Sequence, residues 1–90
     1  MEIKKIVGGK MYNTQTAKEL GYYWNAKSLD DYDYFYQGLY RKKNGELFLL
    51  TQTWNEVKVT PNLTEDQAKT WAEKNLDTKT YVNIFGNPEE

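Results

Sequence analysis

YDYFYQGLYRKKNGELFLLTQTW, residues 32–54, decides the fold of this 90-residue chain. Two runs rich in aromatic and branched side chains flank Asn44-Gly45, and Asn-Gly supplies the positive φ that a tight hairpin turn demands. The stretch therefore reads as a β-hairpin. A loop of two or four residues would move the register by an even number, which fixes the face of every side chain. On that count one face carries Phe35, Leu39, Phe48, Leu50 and Trp54, the better core candidate. The other carries Tyr34, Tyr36, Tyr40, Leu47 and Leu49 and is semi-polar.

Downstream, the alternation Glu56-Val57-Lys58-Val59 adds a third meander strand that Pro61 is expected to end. Leu63-Thr64-Glu65-Asp66-Gln67-Ala68 then gathers helix-start signals. Thr64 is the N-cap, Gln67 completes a capping box, two acids suit the positive end of the dipole, and Leu63 can staple onto Ala68. This helix should run to about Asn75, with Trp71 as its main anchor beside Ala68, Ala72 and Leu76. Tyr81, Ile84 and Phe85 have helical spacing within Thr78–Phe85, Gly86 stops them, and Glu89 and Glu90 are expected to fray.

Upstream, Ile3, Ile6 and Val7 suggest a strand that continues past Gly8-Gly9, where a turn or bulge is expected, toward Met11 and Tyr12. Asn13 to Gly21 has capping residues, capping-box spacing between Thr16 and Glu19, and a closing glycine, which together predict a brief helix. Tyr22–Asn25 reads as extended and Lys27–Asp31 as a loop. The whole is an α+β fold in a single domain over residues 1–90: a small antiparallel sheet built on a central β-hairpin meander, with two or three short helices packed on it.

Composition narrows the chemistry. Eight tyrosines, three tryptophans and three phenylalanines mean that rings must build much of the core. Twelve basic and thirteen acidic residues leave a formal charge of −1, which gives no general attraction to nucleic acid or to an anionic membrane. With neither cysteine nor histidine, disulfides, zinc sites of the usual kind and Ser-His or Cys-His nucleophilic catalysis are excluded. No apolar run approaches the ~18 residues of a membrane span, and MEIKKIVGG lacks a signal peptide's hydrophobic stretch. The expectation is a cytoplasmic protein starting near Met1, without cofactor or enzymatic activity.

In Lys10-Met11-Tyr12-Asn13-Thr14-Gln15-Thr16-Ala17, in Leu39-Tyr40-Arg41-Lys42-Lys43-Asn44-Gly45-Glu46-Leu47-Phe48-Leu49, in Leu63-Thr64-Glu65-Asp66-Gln67-Ala68 with Trp71 beyond it, and in Phe85-Gly86, the chain resembles a family of small bacterial proteins carried by phages, plasmids and other mobile elements. Between Leu50 and Pro61 this chain is shorter than the versions that carry a Gly-rich insertion there. Some members resemble anti-CRISPR or other anti-defence proteins, so the resemblance implies an inhibitor that binds a CRISPR effector nuclease complex and blocks it. It brings no catalytic motif.

Two candidate partner-binding sets follow from the residues. Tyr34, Tyr36 and Tyr40, with Tyr22, Tyr23 and Trp24 nearby, offer the ring-plus-hydroxyl surface found at the energetic centres of protein interfaces; the competing reading is that a helix covers them. Asp30, Asp31 and Asp33 suit the rim of an interface with a basic partner, against a solvated loop or, with convergent ligands, a metal site. Arg41, Lys42 and Lys43 at the hairpin tip, interleaved with Tyr40 and Phe48, give the alternative function, a nucleic-acid-binding accessory protein; a solubilising turn explains them as well. Gly8-Gly9-Lys10 lacks the spacing of a phosphate loop. An exposed edge strand would allow a weak homodimer in place of a monomer.

Overall fold

The computed structural model describes residues 3–88; the expected start near Met1 and the expected fraying of Glu89 and Glu90 lie outside them. The chain is α+β. It contains β1 (Lys4–Val7), β2 (Lys10–Asn13), β3 (Lys18–Trp24), β4 (Phe35–Arg41), β5 (Leu47–Thr53), β6 (Val57–Leu63), α1 (Glu65–Asn75) and α2 (Thr78–Phe85). β3-β4-β5-β6 form an antiparallel meander, and β1 and β2 form a separate hairpin.

The central hairpin turns at Asn44-Gly45, but through an odd loop. The Lys42 N–H donates to the Glu46 carbonyl at 2.8 Å and the Gly45 N–H to the Lys42 carbonyl at 2.8 Å. Gly45 holds φ at 93°. This is a turn followed by a left-handed glycine, with Lys43, Asn44 and Gly45 as the loop. Because the loop is odd, Leu39 pairs with Leu49, Tyr40 with Phe48 and Arg41 with Leu47. The face assignment made from an even loop is thereby corrected: the residues of β5 are exchanged between faces relative to those of β4, so Leu47 and Leu49 join Leu39 while Phe48 and Leu50 join Tyr40.

One face of the central hairpin is consequently mainly aliphatic and the other mainly aromatic, and both are covered. Leu39, Leu47 and Leu49 pack with Ala68, Trp71 and Ala72 of α1, joined by Leu76, Tyr81 and Phe85. Tyr40, Phe48 and Leu50 pack with Val59 and with Tyr12 of the β1–β2 hairpin. Leu39, Phe48 and Leu50 are the largest fully enclosed side chains. Burial of each is worth roughly 1.5–3 kcal/mol. Trp54, also expected in the core, stays 46 % exposed beyond the end of β5.

Two further local expectations change, and of the turn or bulge expected at Gly8-Gly9 the turn is found. Asn13 to Gly21 is not a helix: the Ala17 N–H bonds to the Asn13 carbonyl at 3.1 Å, making one turn, and β3 starts at once. One turn of capping residues cannot carry the cost of helix nucleation when an aromatic strand sequence follows it. Gly8 and Gly9, at φ 59° and 78°, reverse the chain in a two-residue hairpin, so β2 runs back along β1. β6 continues through Pro61 to Leu63, because it is an edge strand where a missing N–H is tolerated. Its ladder slips near that proline, and Asn62 there has φ 59°.

Both helices lie where the sequence places them. Thr64 and Gln67 form the full capping box of α1, and Asp77 caps α2 by accepting the Thr80 N–H at 2.8 Å. Trp71 reaches across the sheet to Gln37, its indole N–H donating to Oε1 at 2.7 Å. Gly21 lets α1 close down on β3. A Cβ there would lie 2.7 Å from Leu76 Cδ1.

Candidate functional site

Tyr36 and Tyr40 of β4 are covered by the β1–β2 side of the molecule, and Tyr34, just before β4, is buried as well. Tyr40 is 6 % exposed, Tyr34 is 9 % exposed and Tyr36 is half-buried. This corrects the expectation of Tyr34, Tyr36 and Tyr40 as an open contact face: a small domain with few aliphatic residues buries its rings. Tyr36 and Tyr40 stand two places either side of Gly38 and meet above it, their hydroxyls 2.9 Å apart. Both donate to Glu19 Oε2, at 2.8 and 2.9 Å. Burial raises both phenol pKa values, that of Tyr40 to about 12 and that of Tyr36 further. They are neutral structural donors.

The hairpin tip is also partly drawn into the fold. Lys42 lies 4.2 Å from the centre of the Tyr12 ring and 3.6 Å from Glu46 Oε1. Glu46 accepts from the Tyr12 hydroxyl and from the Asn62 N–H at 3.2 Å. The Tyr12 bond holds the Glu46 carboxyl below its usual range, assisted by Lys42 and Lys10, and lifts the Tyr12 phenol to about 12. Of the expected nucleic-acid set, Arg41 and Lys43 remain exposed while Lys42 is half-buried.

Asp30, Asp31 and Asp33 are all exposed on the long loop between β3 and β4. That loop is built rather than slack. Asp31 Oδ1 accepts the Asp33 N–H at 2.9 Å, the Tyr34 N–H bonds to the Asp31 carbonyl at 3.0 Å, and Lys27 lies 3.9 Å from Asp33. Asn25 ties its two ends together, donating to the Asp33 carbonyl and accepting the Phe35 N–H at 3.2 Å. No group of three or more carboxylates converges as a metal site among the described residues.

What the loop does carry is rings. Tyr32, 79 % exposed, meets Trp54 edge-on with centroids 4.8 Å apart. Tyr22, Tyr23 and Trp24 of β3 and Leu29 of the loop are exposed as well. Trp24 is oriented by its indole N–H, which donates to the Lys27 carbonyl at 3.1 Å. The acidic run and an aromatic surface are thus brought to one end of the sheet, but the rings are Tyr32, Trp54 and Trp24 in place of Tyr34, Tyr36 and Tyr40. Tyr32 and Trp54 are exposed because both lie outside the strands, Tyr32 ahead of β4 and Trp54 beyond β5, and the continuous aromatic pattern of residues 32–54 does not mark those strand ends.

No family model, curated protein or solved structure matches the chain. No helix among the described residues is long and apolar enough to cross a membrane.

Proposed function

We propose that this domain is a binding protein whose contact surface is the aromatic and acidic end of the sheet, and that it acts as an anti-defence inhibitor of a CRISPR effector nuclease. The observation that carries the binding reading is the exposed Tyr32–Trp54 pair, beside Asp30, Asp31 and Asp33. Rings of this kind gain most when a partner desolvates them, and carboxylates at the rim draw in basic surface. Nucleic-acid-handling effectors present such basic surface along their channels. The choice of effector follows the resemblance to mobile-element proteins.

The test is retention of purified effector complexes on the immobilised domain, with target cleavage measured alongside. Retention and loss of cleavage are expected, and Tyr32→Ala with Trp54→Ala should weaken both by tenfold or more, the scale of one strong interface residue. A broad panel that is neither retained nor inhibited overturns the reading. So does oligonucleotide binding that falls steeply with salt and depends on Arg41 and Lys43, which would make the chain a nucleic-acid-binding accessory protein.

A further inference from the structure

β3 is one edge of the meander, paired on its inner side with β4. Like β6 at the opposite edge, it has no strand on its outer side. The Asn25 N–H donates to the Phe35 carbonyl at 3.2 Å, which makes Asn25 and Phe35 a hydrogen-bonded pair. Tyr23 is paired with Gln37 and Gly21 with Leu39 in the same register, so these residues turn their main-chain groups inward. Tyr22 and Trp24 alternate with them. Their N–H and C=O groups point away from the sheet, and no backbone hydrogen bond from another element reaches them among the described residues.

This edge lacks the usual protection against strand addition. The bulge lies at its far end, between Glu19 and Gly21, leaving Gly21–Trp24 regular, and there is no proline or lysine within that run. The side chains that flank the open groups, Tyr22 and Trp24, are about half exposed, at 53 % and 49 %. Beside the edge a depression of about 370 Å³ runs between β3 and the α1–α2 junction, with Glu19, Tyr22, Asn75, Asp77 and Thr80 in its wall. Asp77 is held in its charged form by the hydrogen bonds that make it the α2 cap.

Charge selects the occupant. Glu19 and Asp77 lie at one end of the regular run and Asp30, Asp31 and Asp33 in the loop at the other, five acids against Lys18, Lys27 and the Lys79 that lies near Asp77. A second copy of this chain would bring the same acids against each other across the edge. We propose that the β3 edge takes up an extended, basic segment of a partner protein as a fifth strand, pairing with the main chain of Tyr22 and Trp24. Tyr22 and Trp24 would lie against alternate lysine or arginine stems, and the flanking carboxylates would meet their charges. This rests on the reading that the domain binds a protein, and it specifies how.

The test uses no effector, so its result is independent of the pull-down. An acetylated and amidated peptide of about seven residues, lysine alternating with valine, is titrated into the labelled domain and followed by amide NMR and hydrogen exchange. A glutamate–valine peptide of equal length is the control. Slowed exchange at Tyr22 and Trp24 with the lysine peptide alone supports the proposal. Tyr22→Pro removes an outward donor without touching the β3–β4 ladder and should weaken the peptide by about tenfold, the scale of a main-chain hydrogen bond or two. Asp30→Lys with Asp33→Lys, both at exposed positions, should weaken it several-fold at low salt and little at high salt. No binding at about millimolar peptide overturns the proposal, as does equal binding of the glutamate peptide. Protection of Tyr22 and Trp24 that appears with rising protein concentration and no peptide assigns the edge to a second copy and overturns it too. Shifts confined to Tyr32 and Trp54 reject strand addition while leaving the interface reading standing.

Discussion

Gly38→Ala should destabilise the domain, although alanine suits a strand better than glycine does. Gly38 is buried in the centre of β4, and its conformation is ordinary for a strand, so backbone freedom is not the reason for the glycine. Space is. A Cβ at this position would lie 2.6 Å from the Tyr36 hydroxyl and 2.8 Å from Tyr40 Cε1, distances that require the rings to move. They are not free to do so. Tyr40 is stacked on Phe48 with centroids 5.3 Å apart, Tyr36 lies against Tyr22 at 6.0 Å, and both hydroxyls are held by Glu19. Overpacking a core of this kind costs about 1–3 kcal/mol. The gain from strand propensity is within about 1 kcal/mol, so the clash wins. For a domain of this size a net loss of about 1–2 kcal/mol corresponds to a fall in Tm of roughly 4–16 °C. Urea denaturation of the single variant, of Tyr36→Ala and of the double variant gives the cycle. The cost of Gly38→Ala should shrink in the Tyr36→Ala background because the nearest clashing atom is gone. Unchanged or raised stability of the single variant, or strict additivity, refutes the steric account.

Trp71→Ala should cost about 3–5 kcal/mol in denaturant unfolding, since it empties the α1–sheet contact and leaves Gln37 without its indole donor. Tyr12 and Tyr40, raised to about 12 from 10.0, should resist ionisation in an absorbance titration until the domain unfolds. Raised phenol values mean that their contribution to stability is whole below pH 10 and is lost as pH climbs through about 12. Glu46 has the opposite sign. Its lowered folded value adds stability above its ordinary value of 4.5, lost as pH falls through the folded value, so the acid limb of a pH–stability curve should flatten in Glu46→Gln.

How far these properties were legible depends on how local their causes are. Thr64 and Gln67 sit three residues apart and cap α1 by contacts within one turn, so the helix could be placed from its own sequence. The Asn44-Gly45 turn was equally local. Whether its loop held an even or odd number of residues depended on Lys42 bonding to Glu46, which nothing in the Asn-Gly pair dictates, and one residue's difference exchanged the two faces of β5. Asn13–Gly21 misled for the complementary reason. Its caps are real, yet Lys18–Trp24 gains more by pairing with β4 than a one-turn helix could supply. The site divided in the same way. The acids of the β3–β4 loop are exposed as their sequence suggests, whereas the fate of Tyr36 and Tyr40 depended on a hairpin more than twenty residues earlier folding over them.

The two covers of the meander come from opposite ends of the described chain, the β1–β2 hairpin on one face and the helices on the other. The strands between them pair with their sequence neighbours. Opening one cover therefore leaves the other's contacts and the whole ladder in place. The molecule has two separate routes of partial unfolding, one baring Tyr40 and Phe48 and the other baring Leu39 and Leu49. Protease nicks in the first and second half of the chain would release different apolar surfaces, and the domain's weakest opening need not be the one that exposes its candidate site.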